Sequence, residues 1–343
     1  MAKVSVVMPV YNSERFVAKA IESVLNQTFQ NFELIVIDDC SHDGSWDLLK
    51  SISDPRMVLL RNEKNSGVVF SRNRGYAAAK GDFIANMDSD DICLPSRLRM
   101  QVERLNSSTE DIVGAWVSII DESDKETGAW EPPCADADIK AALLFESAIA
   151  NPTAMFRSAV LKSSDGLDPY YRFGIEDYEL YSRLAIKGFR MCNLPVRLLK
   201  YRINQSGLTS NLKKHENLLE AEHSKIYARN LGALSALVSN VHLHYNLVSG
   251  EVRTKDELYA LHSYLIDLTS SLKNYSTPDA LERKVSDIWT HCCLRASNYI
   301  LCTPTLVFGS PLFVPSKYSL MIGGKTCLRS IARLGWSTLR RMG

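Results

Sequence analysis

Nowhere in the 343 residues do two cysteines form a C-x-x-C pair, and the eight present, Cys40, Cys93, Cys134, Cys192, Cys292, Cys293, Cys302 and Cys327, follow no framework spacing. That excludes a disulfide scaffold and a zinc ribbon, and leaves reduced thiols serving as small core residues. The run His291-Cys292-Cys293 does not rescue a metal reading, because adjacent side chains on a helix point in different directions. An excess of charge is also missing: 40 Lys and Arg against 39 Asp and Glu leave a formal +1, which excludes a whole-protein nucleic-acid footprint. No apolar run reaches membrane-spanning length without a proline. The first residues, MAKVSVVMPVYN, hold one Lys and a β-branched run too short for the apolar core of a signal peptide. A cytoplasmic protein is expected. With 45% hydrophobic residues the chain can bury a full core, and its length suggests two domains.

What is present alternates. Residues 4–10 (VSVVMPV) read as a buried strand, 14–27 as a helix, 33–38 (ELIVID) as a strand, and 44–52 as a helix. Residues 57–61 then read as a strand, 71–80 as a helix and 82–88 as a strand. Short apolar runs between helical periodicities predict a parallel α/β sheet. Pro95 marks the start of a further helix, and 111–120 reads as another strand. After about residue 212 the pattern is mainly helical. It predicts helices over 214–246, over 255–273 behind a Thr254–Glu257 capping box, and over 278–300 behind Thr277-Pro278. The expected division is 1–210 and 211–343.

The chemistry concentrates in carboxylates at strand ends. Asp38-Asp39 follow ELIVI, Asn12 follows the first strand, and Asp88, Asp90 and Asp91 crowd into four residues after DFIANM. Ligands of a parallel sheet gather beyond the carboxyl ends of its strands. Like charges this close are costly to bury without a positive partner. An Asp-x-Asp pair can aim one carboxylate at a divalent ion and the other at a ribose hydroxyl. Mg²⁺ and Mn²⁺ favour such oxygen ligands and complete their shells with phosphate.

Four stretches, VSVVMPVYN (4–12), QTFQNFELIVIDDCSHDGS (27–45), NSGVVFSRNRGYAAAKGDFIANMDSDD (65–91) and EDYELYSRLAIKG (176–188), resemble the family-two glycosyltransferases of GT-A fold. The resemblance covers about residues 4–210 and leaves out the C-terminal third. It implies a nucleotide-diphospho-sugar fold, a Rossmann-like and mostly parallel sheet, followed here by a helical region. It implies inverting transfer of a sugar from a nucleotide-diphosphate donor, most simply a UDP-sugar, to an acceptor hydroxyl in surface-polysaccharide or lipid-linked oligosaccharide synthesis. Pro9, Tyr11 and Asn12 would line the nucleotide pocket, and Asp39 would accept the uracil N–H. Arg72 would serve the nucleotide site while offsetting its acidity. Asp88 would meet the ribose or the metal shell, and Asp90 the Mn²⁺ or Mg²⁺ itself. Asp177, in the Glu176-Asp177 pair opening a helix, would be the base, since a helix N-terminus favours the ionised carboxylate. Glu176 would support it.

One departure stands out. Where many relatives carry a histidine two residues beyond the arginine of VRLLKYR, this chain has Asn204, a weaker and uncharged ligand. Two other readings fit less well. A nucleotidyltransferase needs a Gly-rich basic loop after the first strand, whereas PVYNSERF has one Arg and no Gly. A non-catalytic sugar-nucleotide-binding module is expected to have lost an acid, yet Asp39, Asp88, Asp90 and Asp177 all remain. The C-terminal stretch 325–343 contains Lys325, Arg329, Arg333, Arg340 and Arg341 and no acid. Its helical wheel sets these basic residues largely opposite Leu328, Ile331, Leu334 and Leu339. That pattern suits peripheral contact with the inner face of a membrane.

Overall fold

A computed structural model describes residues 3–171, 174–204, 216–234, 241–248, 252–272, 275–297, 307, 310–313 and 325–326. The strands expected first form one side of a nine-stranded sheet. β1 (Val4–Val10) lies between β2 (Phe32–Asp38) and β4 (Phe83–Asn86), with β3 (Met57–Arg61) outside β2, all four parallel. Every residue of β1 is buried, as a strand covered on both faces requires, which is why its sequence is continuously apolar. Pro9 fits this central position. It has the parity of Val7, whose carbonyl takes the Met87 N–H, so its missing N–H faces the side where the ladder with β4 has already ended.

Helices α1 (Val17–Leu25), α2 (Ser45–Ser51) and α3 (Val68–Ala78) connect these strands. α1 buries Val17, Ala20, Ile21 and Val24, one face at helical spacing. α3 begins three residues before its expected start, because Gly67 at φ +88° turns the chain directly into it.

The other side of the sheet corrects the expectation of parallel pairing. β8 (Met155–Arg157) runs antiparallel to both β4 and β6 (Ile112–Ile120), and β9 (Met191–Arg202) runs parallel to β6. β5 (Ile92–Cys93) pairs antiparallel with β9, and β7 (Glu126–Trp130) forms a hairpin on β6. The order β3-β2-β1-β4-β8-β6-β9-β5 is therefore mixed. Helices α4 (Arg97–Ser107), α5 (Asp136–Leu143), α6 (Ser158–Ser163) and α7 (Glu176–Ile186), with a 3₁₀ turn at Asn151–Thr153, complete the described elements up to residue 204.

By packing the chain divides into Met1–Ile139 with Ser147–Leu219, and Lys140–Glu146 with Glu220–Gly343. The second unit holds α8 (Glu216–Ala233) from Glu220 onward, α9 (Val241–Val248), α10 (Lys255–Ser271) and α11 (Pro278–Ala296). The helix expected over 214–246 is thus described as two, and the capping box at Thr254 and Glu257 is formed. Segment 140–146 belongs to this unit through its carbonyls. Leu144 O takes His244 Nε2–H at 2.7 Å and Phe145 O takes the Tyr227 hydroxyl at 3.0 Å. No helix among the described residues is long and apolar enough to cross a membrane. The basic stretch at the C-terminus lies outside the described residues, Lys325 and Thr326 excepted.

Gly75 seats α3 on the sheet: a Cβ there would stand 2.3 Å from Val7 Cγ1 and 2.8 Å from Ile37 Cδ1. Gly75→Ala gains helix propensity, yet overpacking should dominate, with a net loss of about 1–3 kcal/mol in denaturant unfolding. Unchanged or increased stability would show that α3 is not held that closely.

Candidate active site

The carboxyl ends of β1, β2 and β4 lie side by side, and the loops beyond them are stitched together. Asn12 N donates to Ser41 Oγ at 3.0 Å, and Asn12 Oδ1 accepts the His42 N–H at 2.9 Å. Ser13 Oγ meets Ser89 Oγ at 2.7 Å, joining the β1 loop to the acidic loop after β4. Two residues at these ends are left-handed without being glycine, Asn12 at φ 48° and Cys40 at φ 59°. Such backbones cost energy and persist where the surroundings impose them. Tyr11 is exposed and meets the His42 ring edge-on at 6.4 Å. Pro9 is buried within β1.

The paired acids after β2 divide their work. Asp38 is buried against Arg61 Nε at 3.1 Å. Asp39 accepts from Asn62 Nδ2 at 2.6 Å, Ser66 N at 2.9 Å and Gly67 N at 2.8 Å. These bonds fold the 62–67 turn around its carboxylate. A carboxylate offers about four acceptor sites, so one lone pair of Asp39 can still take a ligand N–H.

The acidic loop after β4 is balanced by buried arginines. Arg72, on α3, is buried and gives one Nη2–H to Asp88 Oδ1 at 2.6 Å. Arg202, the last residue of β9, donates from Nε to Asp90 O and from its backbone N to Asp91 Oδ1, both at 2.7 Å. It also reaches Asp121 O at 2.8 Å and Asp124 Oδ1 at 2.6 Å. Arg97, fully buried on α4, donates to Asn86 O at the end of β4 at 2.7 Å. Asn204 Nδ2 donates to Asp90 Oδ2 at 2.6 Å. Asp91 Oδ2 has no partner among the described residues. Burial first, and the charge of Asp88 second, push Asp90 up to about 6; Asp91 is raised as well, by burial first and then by the charges of Asp90 and Asp88.

No cluster of three or more His, Cys, Asp or Glu arranged to hold a metal occurs among the described residues. Asp88 and Asp90 supply hard oxygen donors only, too few for a closed site. Their donor set suits Mg²⁺ or Mn²⁺ completing its shell with phosphate oxygens.

α7 opens with the second pair of acids. Asp177 Oδ1 accepts the Tyr178 N–H at 2.6 Å. Burial and the neighbouring charge of Glu176 push Asp177 up to about 7, against the opposing pull of Arg72. Glu176 is buried and raised as well. The field of Arg72 lowers both carboxyls and that of Asp88 raises both, which puts the two acid groups on one site.

Comparison with known proteins decides the family. Residues 5–163 match the profile of glycosyl transferase family 2. An uncharacterized glycosyltransferase of Haemophilus influenzae is 31% identical over 280 residues, covering 76% of this chain and 86% of its own. The chain belongs to glycosyl transferase family 2. A further relative of this transferase is the Escherichia coli UDP-Glc:alpha-D-GlcNAc-diphosphoundecaprenol beta-1,3-glucosyltransferase WfaP. It is 28% identical, with 67% of this chain and 90% of its own covered. The fold is that of GT-A transferases. Crystallised S. aureus TarS 1-349 in complex with UDP superposes with a TM-score of 0.54 at 18% identity, over 97% of this chain and 92% of that one. The family profile covers Asp39, Arg72, Asp88 and Asp90 and ends before Asp177.

Sequence reasoning passed over Arg202, Arg97 and Asn151. Asn151 Oδ1 receives Asn86 Nδ2 at 2.8 Å and the Tyr181 hydroxyl at 2.9 Å. The legible signal was an acid cluster needing more positive charge than Arg72 alone supplies.

A raised Asp90 has a stability consequence. Its folded value lies above the ordinary carboxylate range, so the fold loses stability as pH rises from about 4 through about 6. Asp90→Asn, which can still accept from Asn204, should therefore stabilise the ligand-free protein by on the order of 2 kcal/mol at pH 8, declining toward zero near pH 4. Thermal unfolding across that range checks it; a destabilised variant at pH 8 would contradict it.

Proposed function

We propose that this glycosyltransferase moves a sugar from a uridine-diphosphate donor to a hydroxyl of a glycan or lipid-linked glycan, inverting the anomeric carbon. The observation carrying this reading is the shared electrostatic site of Asp88, Arg72 and the Glu176-Asp177 pair. Asp39 would accept the uracil N–H on its remaining lone pair, with Tyr11 and Asn12 at the mouth and Pro9 behind them. Asp88 would take ribose hydroxyls. Asp90, with Asp88, would hold Mg²⁺ or Mn²⁺, which when bound neutralises charge on the departing diphosphate. The name of the WfaP relative supports a uridine donor and a lipid-diphosphate-linked acceptor. S. aureus TarS is also crystallised with UDP-GlcNAc.

Asp177 would take the acceptor proton as the acceptor oxygen bonds to the anomeric carbon and the bond from that carbon to the diphosphate oxygen breaks. A single base acting on the face opposite the departing diphosphate would invert the anomeric carbon. A value near 7 suits the role, because such a carboxylate is basic yet still deprotonates at neutral pH. Peripheral membrane contact through the basic residues 325–343 belongs to the same proposal, since a lipid-linked acceptor sits at a membrane surface.

Turnover measured against a panel of sugar nucleotides, with and without Mn²⁺, should single out uridine donors. Its rate should rise with pH through about 7. Asp177→Asn should lower it by ~10²-fold or more while UDP binding by calorimetry persists. Near-normal turnover in that variant would move the base elsewhere. Removal of 317–343 should release the protein from anionic liposomes at low salt without loss of donor hydrolysis. Equal sedimentation of the two forms would remove the membrane contact.

A further inference from the structure

Two buried groups face one another across the site without using their hydrogen bonds. Arg72 is 2% exposed and spends only Nη2 on Asp88; its Nε and Nη1 have no partner among the described residues. Glu176 is 6% exposed, and its Oε2 has no partner there either. Each raises or lowers the other as opposite charges do, so they lie within electrostatic reach though no direct bond joins them.

The packing of α3 and α7 brings them together. Asn73, the neighbour of Arg72, bonds both Leu167 N and Leu167 O, at 2.9 and 2.8 Å. Arg183 on α7 holds the same loop through Gly166 O at 2.7 Å. Deeper in, Tyr76 hydroxyl, Asn86, Asn151 and Tyr181 hydroxyl form a continuous chain of bonds of 2.8, 2.8 and 2.9 Å. Tyr76 stands one turn beyond Arg72 on α3, and Tyr181 one turn beyond Asp177 on α7. Arg72 and the Glu176-Asp177 pair therefore form the next rung outward of the same ladder.

We propose that Arg72 and Glu176 are a positioning pair that couples the donor-side carboxylate Asp88 to the base Asp177, an inference that rests on Asp177 being the base. Arg72 divides its charge between Asp88 on one side and the α7 acids on the other. Glu176 keeps Asp177 basic, and Arg72 limits that effect so that Asp177 still ionises near neutrality. A donor or cation that engages Asp88 frees Arg72 to act on the α7 acids, so donor arrival readies the base. Among the described residues, the groups acting on Asp177 are Glu176 and Tyr181 on α7, Arg72 on α3 and Asp88 after β4, with Tyr76 reaching Tyr181 behind them. Both tyrosines are held neutral well above the working range by burial. Among the described residues, Glu176, Arg72 and Asp88 bring charge to Asp177.

The experiment is the pH dependence of kcat at saturating UDP-sugar. Glu176→Gln should move the acid limb down by roughly one pH unit, and Arg72→Gln should move it up by a similar amount. Glu176→Asp, which keeps the charge, should hold the limb near the wild-type position. The double variant Arg72→Gln/Glu176→Gln should partly restore that position. Where a folded variant turns over too slowly, ¹³C NMR titration of the Asp177 carboxyl reads the same shift. Opposite movements establish the pair. Lost rate with an unmoved limb in both single variants would reduce Arg72 and Glu176 to scaffolding and overturn the proposal. Turnover retained in Asp177→Asn would instead remove the base reading on which it rests.

Discussion

Three carboxylates within four residues, Asp88, Asp90 and Asp91, stand at the end of a buried strand, and the geometry around them is organised to make that arrangement tolerable. Arg72 takes one oxygen of Asp88, Arg202 binds the backbone of Asp90 and the side chain of Asp91, and Arg97 caps the carbonyl at the end of β4. Each arginine comes from a different element, so the charge balance also fixes how α3, β9 and α4 approach the strand. The compensation is incomplete. Asp90 and Asp91 stay harder to ionise than free carboxylates, and one oxygen of Asp91 has no partner among the described residues. A site left short of positive charge when empty gains most from a cationic ligand.

Asn204 belongs to this balance. Its amide holds Asp90 Oδ2 at 2.6 Å, which orients the carboxylate without adding charge. In the proposed function, Asn204 aims Asp90 from the position where relatives carry a histidine, and is not itself a ligand. The backbone shares the cost, in left-handed Asn12 and Cys40 at the ends of β1 and β2, where the loops are tied to one another rather than left to solvent.

The first half of the fold was legible because its signals are local. VSVVMPV and ELIVID are continuously apolar, as strands covered on both faces must be, and Gly67 marks the turn into α3. Beyond it, the strand over 111–120 and the capped helices from 255 and 278 were also legible, but the far side of the sheet otherwise was not. β8 has three residues and β5 two, too short for any periodicity. β9 carries Pro195, Arg197 and Lys200 within its twelve residues, which hides a strand that sequence alone does not separate from a loop. Antiparallel pairing of β8 between β4 and β6 is a long-range outcome that no local pattern encodes. At the site, the acids were visible from their spacing and from resemblance. The difference in role between Asp38 and Asp39, and the contribution of Arg202 from more than a hundred residues away, depend on the tertiary fold.

In the proposed function, Asp90, raised to about 6 by burial and by Asp88, would give up its proton when a cation and a diphosphate arrive together. Calorimetric titration of UDP into the protein with Mn²⁺ at pH 6, repeated in buffers of different ionisation enthalpy, measures the protons exchanged on binding. Net proton release should exceed that of UDP binding Mn²⁺ in buffer alone, grow as pH falls toward 5.5, and shrink in Asp90→Asn to the share of the UDP phosphate. Binding of equal strength with and without Mn²⁺, with no proton released in any buffer, would contradict it.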